Sequence, residues 1–296
     1  MLVAVVSVKG SPGVTTFSVA LAARWPAPSR TLLVEADPSG GDIGIRFWLE
    51  ATPGLVSLAA AARHSEDPTL PWQHTQALPG GLPVVTAPPD ADRARAALSA
   101  LTSEPRGVLR AAANALDATV IVDCGRLDPG SVAAPIVRAA DAMILLTRAH
   151  ADDLAHLARR LPVLGRWTQH PAMMLVGEGY SPTEITRELG VSPLGRIPDD
   201  PRGAAVLCGR PGACSSRSGP ARSRLGQAAH KVANLLLAAH APSEAPVPQQ
   251  GPAEQHPVPI LRAVPGVPPA PVARGGLRLA PPLPHPQDAP GTGRMP

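Results

Sequence analysis

A chain of 296 residues with 44% apolar content can bury the core of one large α/β domain or two small ones without disulfide or metal staples. Its three cysteines lack CxxC spacing, which argues against a disulfide framework or a zinc site and makes reduced thiols in the cytoplasm the expectation. A formal charge of +4 over this length is too mild to demand nucleic acid or anionic lipid, and no stretch reaches the roughly 20 apolar residues of a membrane span or has the basic flank of a signal peptide.

In chain order, Val3, Ala4, Val5, Val6 and Val8 form a short apolar run suited to a strand buried on both faces. Residues 9–13 make a Gly/Pro loop, and Thr15 and Thr16 open a helix whose positive dipole end faces that loop, so the stretch reads as a phosphate cradle. Lys9 stands out because it and Lys231 are the two lysines among 27 cationic residues. Residues 31–36 read as a second buried strand, ending in the polar turn 37–42 at the sheet edge where ligands sit in open α/β folds. There Asp37 could act on a ligand or simply form an Asx-turn.

Residues 51–82 carry a short helical stretch at 55–63 and otherwise read as a surface excursion. A third strand is expected at 82–87, helices at 90–101 and 107–116, and a fourth strand at 118–123 that ends in Asp123. Strands at 142–147 and 172–177 flank a helix at 152–164, and Ser181 to Glu184 has capping-box spacing. This alternation predicts a mostly parallel sheet flanked by helices. Leu225, Ala229, Val232, Leu236 and Ala239 share one face of a final helix; its alanine-rich stripe lacks Trp and Phe, which favours docking on the domain over lying on a membrane. From residue 241 onward 16 of 56 residues are proline, so a domain over 1–240 and a disordered or polyproline-like tail over 241–296 are expected.

The motif KGSPGVTT resembles the deviant Walker A loop, KGGxGKT(T/S), of the ParA/MinD family of P-loop ATPases. Lys9 falls on the signature lysine, Gly13 on the loop glycine and Thr15 on the magnesium-binding hydroxyl, while Val14 replaces the loop lysine. VEADPSGGD resembles the second motif, with Glu35 in place of its first aspartate and Asp37 on its second, and residues 118–123 resemble a Walker B strand. Residues 194–199 resemble the segment beside the base, although Val176, Gly177 and Glu178 stand where the family has its adenine-reading asparagine.

The resemblance implies ATP and Mg2+ as cofactors. Nucleotide contacts would come from Lys9, Gly10, Ser11, Pro12, Gly13, Val14, Thr15, Thr16, Pro198 and Asp199, and metal contacts from Thr15 and Asp123. Asp37 would act on the attacking water, and Lys9 would reach across a homodimer to the partner's phosphate. Function would be an ATP-binding positioning or partitioning switch with weak or absent hydrolysis, the degenerate loop being most like the pilus-localising TadZ/CpaE type. A nucleotide-free scaffold of pilus or secretion machinery, recruiting protein partners through the Pro-rich tail, is the alternative. A third reading is nonspecific DNA contact through Arg202, Arg210, Arg217, Arg222, Arg224 and Lys231, and a fourth is recruitment to the inner face of the membrane.

Overall fold

The structure, a computed structural model, describes residues 1–103, 107–164, 167–168, 170–210 and 219–240. The first half of the chain forms β1 (Leu2–Ser7), α1 (Val14–Ala23), β2 (Arg30–Glu35), α2 (Ile43–Phe47), α3 (Leu55–Ala62), α4 (Leu70–Gln73), β3 (Gln76–Ala77), β4 (Pro83–Val85), α5 (Ala91–Thr102) and α6 (Val108–Ala113). The second half adds β5 (Ala118–Arg126), α7 (Ala134–Ala139), β6 (Ala142–Ala149), α8 (Ala151–Leu164), β7 (His170–Gly179), α9 (Pro182–Leu189), β8 (Gly195–Ile197), α10 (Pro201–Leu207) and α11 (Arg224–His240).

All eight strands join one sheet in the order β3-β4-β2-β5-β1-β6-β7-β8, parallel except for the β3–β4 pair. The central strands are apolar on both faces because both are covered. Leu2, Ala4 and Val6 of β1 point into one core with Leu98 and Leu109, while Val3 and Val5 point into a second core with Phe17 and Leu21 of α1 and Val232 of α11. Side chains two residues apart share a face, so one strand serves both layers.

The excursion expected over 51–82 is instead built into the core. Leu55, Leu58, Ala59 and Leu70 are buried, and α3 packs against α5. Two strands run longer than their apolar cores indicated: β5 continues past Asp123 to Arg126 and β7 spans His170–Gly179. The six- and seven-residue helices α7 and α10 are too short to show a 3.6-residue period and were not anticipated. In α11 the expected stripe docks on α1, with Ala233 buried and Ala239 exposed at the end. Among the described residues no helix is long and apolar enough to cross a membrane. The tail expected over 241–296 lies outside the described residues.

Candidate functional site

The loop between β1 and α1 turns through Gly13, whose φ of 94° lies in the left-handed region that glycine tolerates. The Phe17 N–H then donates to the Gly13 carbonyl at 2.9 Å and starts α1. This N-terminus has no side-chain cap and no acidic residue in its first turn, so its N–H groups and dipole remain open to an outside anion. Arg148 of β6 holds the loop from behind, its Nη2 donating to the Ser11 carbonyl at 3.4 Å. Gly10, Ser11, Gly13, Val14, Thr15 and Thr16 line one side of a cavity of about 270 Å³. Asp37, Asp42 and Arg46 line another side, and Gly125 and Arg126 at the end of β5 complete it.

Two buried acids stand behind this cavity in register on neighbouring strands, Glu35 on β2 and Asp123 on β5. Glu35 Oε1 accepts from the Asp42 and Ile43 N–H groups at 2.7 and 2.9 Å, and its Oε2 accepts from the Ala87 N–H at 3.0 Å. Burial nevertheless pushes its pKa up to about 7 against those three bonds, with the neighbouring Asp123 charge adding to the rise. Asp123 Oδ1 accepts from the Gly125 N–H at 3.1 Å, but its Oδ2 is buried without a hydrogen-bond partner among the described residues. Burial raises this pKa to about 6, opposed mainly by the adjacent Thr15 hydroxyl.

Asp37 forms the Asx-turn that its position allowed, its Oδ1 accepting from the Ser39 N–H at 2.8 Å, and it still lines the cavity. Its pKa is raised, chiefly by burial. The carboxylate lies so close to Gly125 that a β-carbon there would overlap it, which explains the glycine two residues after Asp123.

The fold therefore brings Gly10, Ser11, Gly13, Val14, Thr15, Thr16 and Asp37 to one cavity, with Asp123 directly behind Thr15. Lys9 is exposed and Pro12 is buried, and neither is part of the lining. Pro198 and the exposed Asp199 follow β8 and also lie outside it. Sequence reasoning missed Asp42, Arg46 and Arg126. An Asp42–Arg46 pair at i, i+4 spacing was the available signal for the first two.

No protein-family model and no curated protein matches the chain. Solved structures do. A ParA family ATPase from Chlorobium tepidum superposes with a TM-score of 0.61 at 16% identity, over 79% of this chain and 98% of that one. The septum site-determining protein MinD of Pyrococcus horikoshii, complexed with Mg-ADP, gives 0.59 at 19% identity over 79% and 95%. The fold is that of the ParA/MinD ATPases. An ATP complex of a McdA variant from Cyanothece gives 0.56 at 15% identity over 80% and 96%.

Within this ParA/MinD fold, the residues present can be tested against the cofactors that the resemblance implies. The Thr15 hydroxyl and the unpartnered Asp123 oxygen are hard oxygen donors, which suit Mg2+. The uncapped start of α1 suits phosphate. The donor set fits both groups.

Proposed function

We propose that this chain is a nucleotide-binding positioning protein of the ParA/MinD type that takes ATP with Mg2+ and hydrolyses it slowly or not at all. The observation that carries the reading is Asp123, a fully buried carboxylate with one oxygen unsatisfied, set beside Thr15 under the open end of a helix. A buried polar atom without a partner costs about 1–3 kcal/mol, so a ligand that satisfies it gains that amount. Thr15 and Asp123 would hold the metal, the loop N–H groups would hold phosphate, and Asp37 would orient a water. Mg2+ would supply charge neutralisation between the acids and the phosphates. Lys9 is exposed at the start of the loop and does not line the cavity, and in this reading it would reach a second copy.

Val14 offers the β- and γ-phosphates neither charge nor hydrogen bond. Loss of one preorganised donor at such a position typically slows reaction by roughly 100- to 1,000-fold. Slow turnover is therefore part of the reading. The same Val14 favours the second reading, a scaffold that keeps the sheet without nucleotide. Pilus or secretion machinery and DNA partition remain candidate settings for either.

The deciding experiment is titration calorimetry of wild type and Asp123→Asn with ATP, with and without Mg2+, together with phosphate release at several protein concentrations. Mg2+-dependent binding that is lost in the variant is expected. Absence of wild-type binding would leave the scaffold, and brisk turnover independent of protein concentration would refute slow hydrolysis by a loop with valine at position 14.

A further inference from the structure

Val14 leaves the loop side of the cavity without a cation, and the exposed Lys9 does not line it. The cavity nevertheless has two arginines among its lining residues, Arg46 and Arg126. They are held differently. Arg126 donates through Nε and Nη2 to one oxygen of Asp128, at 3.1 and 2.9 Å, and both side chains are 54% exposed. Water screens such a pair, and two of the donors are already committed.

Arg46 is the more buried of the two, with 29% of its side chain exposed, and its Nη2 donates to Oδ2 of Asp42, itself 60% exposed, at 2.6 Å, which aims the group while leaving most of its donors uncommitted. Among the described residues its Nη1 reaches only the Cys208 sulfur, at 3.7 Å. Sulfur is a weak acceptor, so that N–H is readily redirected. The same sulfur lies 3.4 Å from the Thr16 hydroxyl in the first turn of α1, so one atom touches both the guanidinium and the open helix end. The support is rigid: a β-carbon on Gly209 would lie 2.6 Å from the Arg46 carbonyl oxygen and 2.9 Å from the Phe47 ring, so α2 is packed tightly against the end of α10.

We propose that Arg46 is the phosphate-binding cation of this site, supplying from α2 the charge that Val14 does not supply from the loop, with Asp42 as its positioning partner. The ligand is a nucleoside di- or triphosphate, so the proposal rests on the nucleotide-binding reading above. A planar guanidinium with several N–H donors can keep its bond to Asp42 while presenting the remainder to phosphate oxygens. Because the cation comes from a different element, nucleotide binding would fix α2 against α1, which a loop lysine would not do.

The test is calorimetry of the full chain with Mg-ATP and Mg-ADP, comparing wild type with Arg46→Gln, Arg126→Gln, Val14→Lys and the Val14→Lys/Arg46→Gln double variant, each checked for a cooperative thermal melt. Arg46→Gln should weaken binding about 10- to 100-fold, the range for a lost hydrogen bond to a charged group. Arg126→Gln should weaken it less than about threefold. The double variant should recover to within about fivefold of wild type, because the lysine restores the charge from the other wall. Wild-type affinity in Arg46→Gln would overturn this proposal and leave the nucleotide reading standing, whereas no binding by wild type would overturn both. Equal losses in the two arginine variants would replace a specific contact with a diffuse field. Val14→Lys alone tests the idea even if Arg46 proves necessary for folding. With the cation already present, it should add less than about tenfold, and a hundredfold gain would show that the wild-type cavity lacks one.

Discussion

The neighbouring strands β2 and β5 carry buried acids in register, Glu35 at the end of β2 and Asp123 within β5, yet the two acids are treated oppositely. Glu35 accepts three backbone N–H bonds, two from the start of α2 and one from the turn after β4, so both of its oxygens are occupied. Asp123, its register partner, accepts one backbone N–H bond with the Thr15 hydroxyl beside it, and its second oxygen is buried behind the cavity wall without a hydrogen-bond partner among the described residues. The first carboxylate ties the start of α2 to the turn after β4, alongside the Gly41 N–H bond to the Pro88 carbonyl. Burial raises both pKa values, so burial and titration behaviour do not separate the acid with both oxygens occupied from the one with an oxygen unpartnered among the described residues; the hydrogen-bond inventory does.

The largest effect that should separate them is on stability. Glu35→Ala strips the Asp42, Ile43 and Ala87 N–H groups of their acceptor and leaves a void beside Gly41, where a β-carbon would otherwise meet the carboxylate. At about 1–3 kcal/mol for each unsatisfied group, partly offset by removal of a costly buried acid, the loss should be about 4 kcal/mol in urea unfolding. A loss under about 1 kcal/mol would mean that Glu35 does not organise this turn.

Next in size is the pH dependence. Glu35 has its pKa raised from an ordinary 4.5 to about 7, so between those values the folded chain keeps a proton that the unfolded chain has released. The stabilisation is complete below about pH 4.5 and is lost as pH rises through 7, a change of about 3 kcal/mol. Asp123 adds a change of the same sign, ending near pH 6. Urea midpoints across this range should fall with pH in wild type, and Glu35→Gln should remove the part above pH 6. A midpoint that rises over that interval would show the three N–H bonds outweighing burial.

The sheet, the loop and the strand-end acids were legible because each rests on a local signal: an apolar run, paired glycines, or an acid closing a β-branched segment. The difference between Glu35 and Asp123 was not, because it depends on where the Asp42, Ile43 and Ala87 N–H groups arrive from other parts of the chain. Arg46 was hidden for a related reason, since α2 has five residues and no period to reveal its cavity-facing side. The core role of residues 55–70 escaped notice because alanine and proline diluted three buried leucines.

Asp123→Asn should invert the Glu35 result. Asparagine can still accept the Gly125 N–H and removes a buried charge, so stability without ligand should change by about 1 kcal/mol or less. The effect belongs to the bound state. Mg-ATP at a hundredfold excess over Kd should stabilise wild type by about 2.7 kcal/mol, and the variant should gain none of this. Equal ligand protection of both proteins would move the metal contact away from Asp123.

The smallest effect concerns Asp37, which combines the two behaviours on one side chain. Its Oδ1 closes the turn onto the Ser39 N–H, while the carboxylate faces the cavity with a pKa raised mainly by burial. Asparagine keeps the turn acceptor and deletes the charge, whereas alanine deletes both. Asp37→Asn should therefore melt within about 0.5 kcal/mol of wild type and Asp37→Ala about 1 kcal/mol lower, the worth of one exposed-side hydrogen bond. Binding should order the variants differently. Removing a negative charge from the cavity wall reduces repulsion of a polyphosphate, so both variants should bind ATP without Mg2+ a few-fold more tightly than wild type, by about 1 kcal/mol. If only the alanine variant changed, in stability and in binding alike, Asp37 would be a turn residue that happens to border the site, and the sole acid serving the ligand would be Asp123.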